Sequence, residues 1–322
     1  MDQKIKWIKN LKLINKIKNY LSLVKFSHTI FAMPFALIGF FLGLYYYKEG
    51  NFTLYAYQKK VQDFADNEIL YGYLKIFLLV ILSMVFARSA AMAFNRWLDK
   101  KFDVLNPRTA IREIPSGIIT SKNAMLFVIV NCILFVATTF LINRICFYLS
   151  PVALFVTLFY SYTKRFTPLC HLMLGLGLSL APIGAYLAVT GKFDLLPILF
   201  SFTVLFWVSG FDIIYALQDE EFDKANHLHS IPAMLGKKKA LRVSELLHLL
   251  SLASVIAAGF YGNFGWLYWA GVVVFGGMLV YQHSIVKPND LRRVNIAFMT
   301  ANGIASVIFS IFVLLDLFLI KK

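Results

Sequence analysis

The sequence is poor in cysteine and in acidic residues. Its three cysteines, Cys132, Cys146 and Cys170, lie in or beside apolar segments without the spacing of a metal motif, so we expect three free thiols and no disulfide. Only 17 of the 322 residues are Asp or Glu, against 32 Lys and Arg. Because acidic residues are scarce, a place where several of them come together is a candidate functional site.

Long apolar segments make up most of the chain. Hydrophobic residues account for 59% of the sequence, and the mean hydropathy is +0.68. A helix needs about 20 apolar residues to cross a bilayer core of ~30 Å. Nine stretches approach this length: 27–47, 74–95, 123–143, 146–162, 170–190, 195–217, 241–260, 264–284 and 294–319. The sequence therefore predicts an all-α polytopic membrane protein with nine transmembrane helices in a single domain, residues 1–322.

The basic residues are unevenly distributed between the two sides of such a protein. With a cytoplasmic N-terminus, 23 Lys and Arg fall on the cytoplasmic side and 8 on the other. This positive-inside bias predicts a multi-pass protein of a bacterial-type inner (cell) membrane, and it explains the net charge of +15 without nucleic acid. Residues 1–25 alternate Lys with apolar residues, which is typical of a segment at the bilayer surface or of a basic tail that sets topology. No obligate protein partner is expected.

Two long cytoplasmic loops begin alike. Asp99 and Asp103 recur 120 residues later as Asp219 and Asp223, each pair after an even-numbered apolar segment. Each loop later carries an Ile-Pro-small tripeptide, at 114–116 and 231–233. The chain is therefore predicted to contain two pseudo-repeated halves, each with an acidic corner.

The first and fifth apolar segments also correspond. Each carries a Pro–small–Gly cluster, around Pro34 and Pro182. The distance from Pro34 to Asp99 exceeds that from Pro182 to Asp219 by 28 residues. We interpret the polar stretch 48–73 as an extracytoplasmic insertion that accounts for the excess.

The acidic residues have helical spacing. Residues four or seven apart share one face of a helix, so each half presents a row of oxygen ligands. These rows are Asn95, Asp99 and Asp103 in the first half and Asp212, Asp219 and Asp223 in the second. Oxygen ligands without thiol or imidazole suit Mg²⁺, which binds one or two carboxylates and completes its shell with water and phosphate. The alternative is a solvated helix end with ordinary surface acids.

Basic residues near these rows favour a diphosphate as the third component. The loop "NPRTAIREIPSG" carries Arg108 and Arg112, "YSYTKRFT" carries Lys164 and Arg165, and Lys224 follows Asp223. Arg suits bidentate phosphate contacts and Lys a point-charge contact. For each basic residue taken alone, positive-inside bias is an equally good explanation.

Four motifs in order carry a resemblance to a known family. "NRWLDKKFD", "NPRTAIREIPSG", "YSYTKRFTPL" and "GFDIIYALQDEEFDKANHLHSIPAMLG" resemble the UbiA superfamily of intramembrane aromatic prenyltransferases, in particular the 4-hydroxybenzoate polyprenyltransferases. The likeness covers the chain outside its N-terminal tail and the insertion. Arg96 departs from it, because many members carry Asp there. Either this position has lost a metal ligand, or Arg96 points away from the site, since it is one residue off the face of Asn95 and Asp99. The resemblance implies nine helices around a central cavity, Mg²⁺, a polyprenyl diphosphate and an aromatic acceptor in quinone biosynthesis.

The resemblance also implies roles for single residues. The six oxygen ligands would hold Mg²⁺, and the catalytic set would be Asp99, Asp219, Arg112 and Lys164. Substrate would be bound by Arg88, Arg108, Tyr160 and Lys224. Tyr162 and Tyr215 are further cavity candidates, whereas a metal role for His227 and His229 is disfavoured because Mg²⁺ avoids imidazole. His171 lies near a helix end, where a structural role is favoured.

Arg88 is the best lead on the acceptor. An ionisable residue inside a membrane helix is a functional candidate by default. Arg88 lies seven residues before Asn95, so it shares that face deeper in the membrane and suits an acceptor carboxylate. Snorkelling or a structural ion pair is the alternative.

Two rival functions remain open at this point. A secondary transporter would also have internal repeats, but transporters place coupling residues near the bilayer midplane, whereas these acids are predicted at one face. Within the enzyme class, the acceptor could instead be a dihydroxynaphthoate of menaquinone synthesis, a homogentisate, or a haem or chlorin.

Overall fold

The computed structural model describes residues 15–25, 31–48 and 66–320. Most of the predicted insertion and of the N-terminal tail therefore lies outside the described residues. The described part is helical, with these helices: α1 (15–23), α2 (Met33–Lys48), α3 (Asp66–Leu98), α4 (Lys100–Leu105), α5 (Ser121–Ile142), α6 (Arg144–Thr163), α7 (Cys170–Thr190), α8 (Leu195–Ala216), α9 (Glu220–Ala225), α10 (Ile231–Leu235), α11 (Lys237–Tyr261), α12 (Trp266–Ile285) and α13 (Asn302–Leu315). A 3₁₀ turn (Leu217–Asp219) joins α8 to α9, and π-helical segments (Ile296–Ala301 and Asp316–Ile320) flank α13.

Side-chain caps and one left-handed glycine mark the ends of the apolar helices. Asn143 separates α5 from α6: its amide oxygen accepts a bond of 2.8 Å from Cys146 N at the start of α6. Thr120 caps α5 through Asn123 N. Gly191 ends α7 at φ 64°, a conformation that glycine adopts without steric cost. These local signals explain why single long apolar runs divide into hairpins.

Seven helices among the described residues are long and apolar enough to cross a bilayer. The other two predicted spans coincide with α2, whose apolar run Met33–Tyr46 is short, and with α12, which carries polar Gln282 and His283 near its end. Large apolar side chains such as Val273 and Val280 are more than 70% exposed. A surface of this kind fits lipid rather than water. The chain is an integral membrane protein, and seven of the nine predicted spans correspond to helices that are long and apolar enough to cross the bilayer.

The first and fifth predicted spans, α2 and α7, pack closely against each other. A Cβ at Gly39 would lie 2.0 Å from the carbonyl oxygen of Pro182. The backbones can approach this closely only because position 39 is glycine, a device common between membrane helices. The repeated Pro–small–Gly clusters therefore lie where the two halves of the chain meet.

Buried polar groups within the second half bond to one another. Trp207 Nε1 and Gln282 Nε2 both donate to Asn302 Oδ1, at 2.9 and 2.8 Å. Asn302 Nδ2 in turn donates to carbonyls of the preceding π-helical segment, at 3.2 and 2.9 Å. Polar groups in a membrane interior must find partners within the protein, so this network joins α8, α12 and α13.

The short helix α1 docks against the first half of the bundle. Leu23 is fully buried in a cluster with Ala93 and Ile114, and the rings of Tyr20 and Phe127 lie 4.9 Å apart. The predicted basic interfacial segment thus packs its C-terminal part on α3 and α5. The three cysteines are free thiols, as expected.

Candidate active site

Two adjacent cavities lie inside the bundle. The polar cavity, about 650 Å³, contains the predicted acidic and basic side chains, and the apolar cavity, about 360 Å³, lies between α3, α5, α6 and α7. Five residues line both cavities and form their shared wall: Arg88, Met92, Tyr160, Leu174 and Leu178. The interior is thus divided into a charged chamber and an apolar one.

The first aspartate of each half lies at an equivalent break in a helix. Asp99 occupies the N-cap position of α4 at φ −88°, ψ 3°, and Asp219 occupies that of α9 at φ −103°, ψ 5°. These angles belong to the sparsely populated bridge region, where active-site residues often lie. Both helices that follow are six residues long. The pseudo-repeat seen in the sequence therefore extends to the backbone.

Four carboxylates of the polar cavity each contact a basic side chain, and three of these pairs join distant segments. Arg165 lies 2.9 Å from Asp99, and Lys164 lies 2.7 Å from Asp223. The Arg108–Asp219 pair is bidentate, with Nε to Oδ1 at 3.2 Å and Nη2 to Oδ2 at 2.5 Å. Bidentate charge-assisted bonds are strong and directional. Lys164 and Arg108, from the first half, thereby hold carboxylates of the second.

The second aspartate of each half is buried and is contacted from its own loop. Asp103 accepts a bond of 2.7 Å from Arg112 Nη1, nine residues later. Asp223 accepts a bond of 2.8 Å from Ser230 Oγ, seven residues later. Both donors closely precede the Ile-Pro motif of their loop. The repeated tripeptide thus marks the return of each loop to its acidic corner.

Burial and ion pairing act against each other in this cavity. Burial raises the pKa of Asp99 above its usual value, although Arg165 partly offsets that effect. For Lys164, burial favours the neutral amine, but Asp223 outweighs it, so the pKa of Lys164 is raised. Likewise burial opposes the charge of Arg108, and Asp219 raises its pKa. Lys164 and Arg108 are therefore cationic at neutral pH.

Arg88 and Tyr160 lie at the boundary between the two cavities. Arg88 Nε is buried and has no hydrogen-bond partner among the described residues. It lines the polar cavity on one side and the apolar cavity on the other. A guanidinium with an unused donor at this boundary can bind an anion lying between the two chambers.

Eleven of the twelve predicted site residues line the polar cavity. They are Arg88, Asn95, Asp99, Asp103, Arg108, Arg112, Tyr160, Lys164, Asp212, Asp219 and Asp223. Lys224 does not: its side chain is 51% exposed and pairs with Glu220 at 2.6 Å, one helical turn away. Tyr215 lines the cavity, whereas Tyr162, His227 and His229 do not.

His171 and Asn106 contact predicted site residues in the cavity, although the sequence assigns a role in the site to neither. His171 is 3% exposed, and its Nδ1 lies 2.7 Å from Asp212 Oδ2, 41 residues along the chain. The amide of Asn106 donates to Asp219 Oδ1 at 3.3 Å. Both contacts join residues far apart in sequence, so no local spacing could have revealed them.

The donor set suits a hard cation whose shell is completed by other ligands. In the described residues, no group of three His, Cys, Asp or Glu side chains converges closely enough to hold a metal. Buried Asp103 Oδ2, however, has no partner among them. Mg²⁺ needs only one or two carboxylates beside water and phosphate. The residues therefore fit Mg²⁺ together with a phosphate ligand, and the six-ligand set stays a prediction.

Comparison with curated proteins finds bacterial relatives of similar length. The chain is 29% identical over 237 residues to a 4-hydroxybenzoate octaprenyltransferase of Nitrosospira multiformis, covering 74% of this chain and 81% of that protein. It is 30% identical over 236 residues to the protein of the same name from Aliivibrio salmonicida, covering 73% and 82%.

Solved structures with the same fold come from archaea. The apo structure of a UbiA homologue from Aeropyrum pernix superposes with a TM-score of 0.71 at 27% identity, covering 89% of this chain and 95% of that one. An Archaeoglobus fulgidus UbiA homologue bound to GPP and Mg²⁺ gives 0.64 at 19% identity, covering 92% and 98%. The model of the UbiA prenyltransferase family matches residues 65–304. The chain thus belongs to the UbiA prenyltransferase family and is a prenyltransferase.

Proposed function

We propose that this protein transfers a polyprenyl group from a polyprenyl diphosphate to an aromatic acid such as 4-hydroxybenzoate, with Mg²⁺, in quinone biosynthesis. The observation that carries the proposal is the shared wall of the two cavities. A charged chamber adjoins an apolar chamber at Arg88 and Tyr160, as a substrate with an ionic head and an isoprenoid tail requires. The names of the curated relatives support this acceptor class.

The polar cavity would hold the diphosphate. Mg²⁺, when bound, would neutralise charge that develops on the leaving diphosphate. Asn95, Asp99, Asp219 and Asp223 would be its ligands, with Asp103 and Asp212 in support. The Archaeoglobus fulgidus homologue, which was solved bound to GPP and Mg²⁺, supports this pairing of metal and prenyl diphosphate.

The basic residues would take up the rest of the negative charge. Arg112 and Lys164 each contact a buried aspartate at 2.7 Å, so both are held at the cavity wall. As a diphosphate enters, Arg112 and Lys164 can donate hydrogen bonds to it while they keep contact with their aspartates. Charge-assisted hydrogen bonds to the leaving group favour cleavage of the allylic C–O bond, because they strengthen as its charge grows.

The apolar cavity would hold the isoprenoid tail and keep water from the allylic cation. Its lining is almost entirely apolar, with side chains such as Phe135, Leu149 and Val156. Exclusion of water protects a reactive cation from hydrolysis. The acceptor ring would attack ortho to its hydroxyl while Arg88 holds its carboxylate. The ring would then lose the proton from that carbon to one of the carboxylates that line the polar cavity.

The orientation in the membrane is proposed from charge. The loops that carry both acidic corners are rich in Lys and Arg, so they would face the cytoplasm of a bacterial cell, together with the N-terminus. A soluble acceptor acid would enter the polar cavity from that side, while the tail would reach lipid from the apolar cavity.

A prenyl-transfer assay on the purified protein in detergent tests this proposal. Geranyl or longer diphosphates are offered with 4-hydroxybenzoate and with 1,4-dihydroxynaphthoates in parallel, with Mg²⁺ and with EDTA. We expect Mg²⁺-dependent product with 4-hydroxybenzoate. Product only with a naphthoate would instead assign the protein to menaquinone synthesis. No product from folded protein with any of these acceptors would refute the proposal.

A further inference from the structure

Arg96 is a buried guanidinium in the polar cavity to which the proposed function assigns no role. It is 5% exposed and lines the cavity next to Asn95 and Asp99. Two of its nitrogens, Nε and Nη1, are buried without a hydrogen-bond partner among the described residues. A buried cation with unused donors is costly unless an anion joins it. Its position therefore suits an anionic ligand.

Each of the two carboxylates near Arg96 has one oxygen engaged by another group. Asp103 Oδ1 accepts from Arg112 at 2.7 Å, and Glu113 Oε1 accepts from the hydroxyl of Ser22 on α1. Asp103 and Glu113 attract the Arg96 charge, and Arg112 repels it. Four other basic residues of the cavity differ, because Arg108, Arg112, Lys164 and Arg165 each contact a carboxylate.

The same corner also contains unused acceptors. Asp103 Oδ2 and Glu113 Oε2 are buried without hydrogen-bond partners in the described part of the chain. The unused donors of Arg96 can bind an anion, and the unused oxygens of Asp103 and Glu113 can bind a cation. The corner therefore suits a ligand that carries both charges. A divalent cation bound to a diphosphate has this polarity.

We propose that Arg96 binds the diphosphate group of the substrate directly, as a fixed cation beside the metal. The inference rests on the proposed function, because it assigns a further residue to the same diphosphate site. A planar guanidinium can donate two parallel bonds to phosphate oxygens, which Lys cannot do. Since the Arg96 guanidinium is charged at neutral pH, part of the diphosphate affinity is independent of Mg²⁺.

Arg96 and Arg88 are assigned different anions, the diphosphate and the acceptor carboxylate. They lie eight residues apart on α3, which at about 1.5 Å per residue places them ~12 Å apart along the helix axis. Arg96 lines only the polar cavity and lies three residues before Asp99, whereas Arg88 also lines the apolar cavity. Arg96 therefore binds the diphosphate, and Arg88 binds the carboxylate of the acceptor.

Calorimetric titration with inorganic pyrophosphate tests this assignment without turnover. The full-length protein in detergent is titrated in Mg²⁺ and in EDTA, as wild type, Arg96→Gln and Arg96→Lys. We expect Arg96→Gln to weaken pyrophosphate binding by about tenfold or more in both buffers, and Arg96→Lys to weaken it less. Mg²⁺ binding without pyrophosphate should not weaken, because removal of a nearby positive charge favours a cation.

Arg292→Gln is the matched control, since Arg292 is 88% exposed, pairs with Asp290 on the surface and lies outside the cavity. It should bind pyrophosphate as the wild type does. Unchanged pyrophosphate affinity in folded Arg96→Gln would overturn the inference, and a lower melting temperature with unchanged affinity would show a purely structural role. Should Arg96→Gln fail to fold, wild-type affinity in Arg96→Lys would overturn it equally. Failure of the wild type to bind pyrophosphate with Mg²⁺ would instead contradict the proposed function.

Discussion

Arg108 of the first half holds Asp219 of the second through two hydrogen bonds, of 3.2 and 2.5 Å. The loop that follows one acidic corner thus fixes the first aspartate of the other. Arg108 also donates to the hydroxyl of Tyr215 at 3.0 Å, so its guanidinium is anchored on two sides. The two halves are connected at the charged end of the cavity, where the proposed chemistry takes place.

Asp219→Asn should abolish turnover while the protein stays folded. The amide keeps the shape of the side chain but loses the charge that binds Arg108 and would bind Mg²⁺. We expect kcat to fall by on the order of 100-fold or more, as when a group that stabilises developing charge is lost. The same result is expected for Asp99→Asn, because the two residues occupy equivalent helix breaks.

The control for both variants is Asp290→Asn, which removes an aspartate that pairs with Arg292 outside the cavity. It should leave kcat unchanged. Near-normal turnover in folded Asp99→Asn or Asp219→Asn would remove these residues from the metal site.

Arg88→Gln should act on the acceptor. We expect the KM for the aromatic acid to rise about tenfold or more, because a hydrogen bond to a charged group contributes about 1.5–3 kcal/mol. The KM for the prenyl diphosphate should change little, since Arg88 lies at the wall shared with the apolar cavity and not among the aspartates. Steady-state kinetics with each substrate varied in turn measures both constants. An unchanged acceptor KM would leave Arg88 with a structural role only.

Gly184→Leu should limit the length of the prenyl chain. Gly184 lines the apolar cavity, and a Cβ placed there meets no atom within 4 Å. The Cβ of a leucine would therefore lie in open space, and the rest of its side chain would take up part of the cavity. We expect the KM for long polyprenyl diphosphates to rise by about tenfold relative to that for dimethylallyl diphosphate. Equal effects on both chain lengths would place the tail elsewhere.

Gly39→Ala should lower stability. The added Cβ would lie 2.0 Å from the backbone carbonyl oxygen of Pro182, so α2 and α7 must separate. Overpacking of this kind costs about 1–3 kcal/mol. Gly277→Ala is the matched control, because nothing lies within 4 Å of its Cβ and alanine favours a helix. Thermal unfolding in detergent should show a lower melting temperature for Gly39→Ala alone.

The sequence predicted the fold and much of the candidate site because both depend on local patterns. Apolar runs locate the helices, and the recurrence of Asp99 and Asp103 as Asp219 and Asp223 identifies two acidic corners. Tertiary contacts have no such pattern. The bond between His171 and Asp212 spans 41 residues, and nothing in either segment indicates it.

Other differences have a local cause. Lys224 follows Asp223 directly, so on a helix its side chain points about 100° away from that residue. It therefore pairs with Glu220 rather than lining the cavity. Helical spacing alone does not decide whether Arg96, the neighbour of Asn95, points away from the acidic row; in the structure it lines the polar cavity.

The most direct test of a shared Mg²⁺–diphosphate site is an experimental structure with a metal and an unreactive prenyl diphosphate bound. Mn²⁺ would replace Mg²⁺ so that anomalous scattering locates the ion, and geranyl thiolodiphosphate would serve as the substrate analogue. We predict metal between the Asn95–Asp99 row and the Asp219–Asp223 row, with the tail in the apolar cavity. Metal bound to one row alone, or a diphosphate outside the polar cavity, would contradict the account.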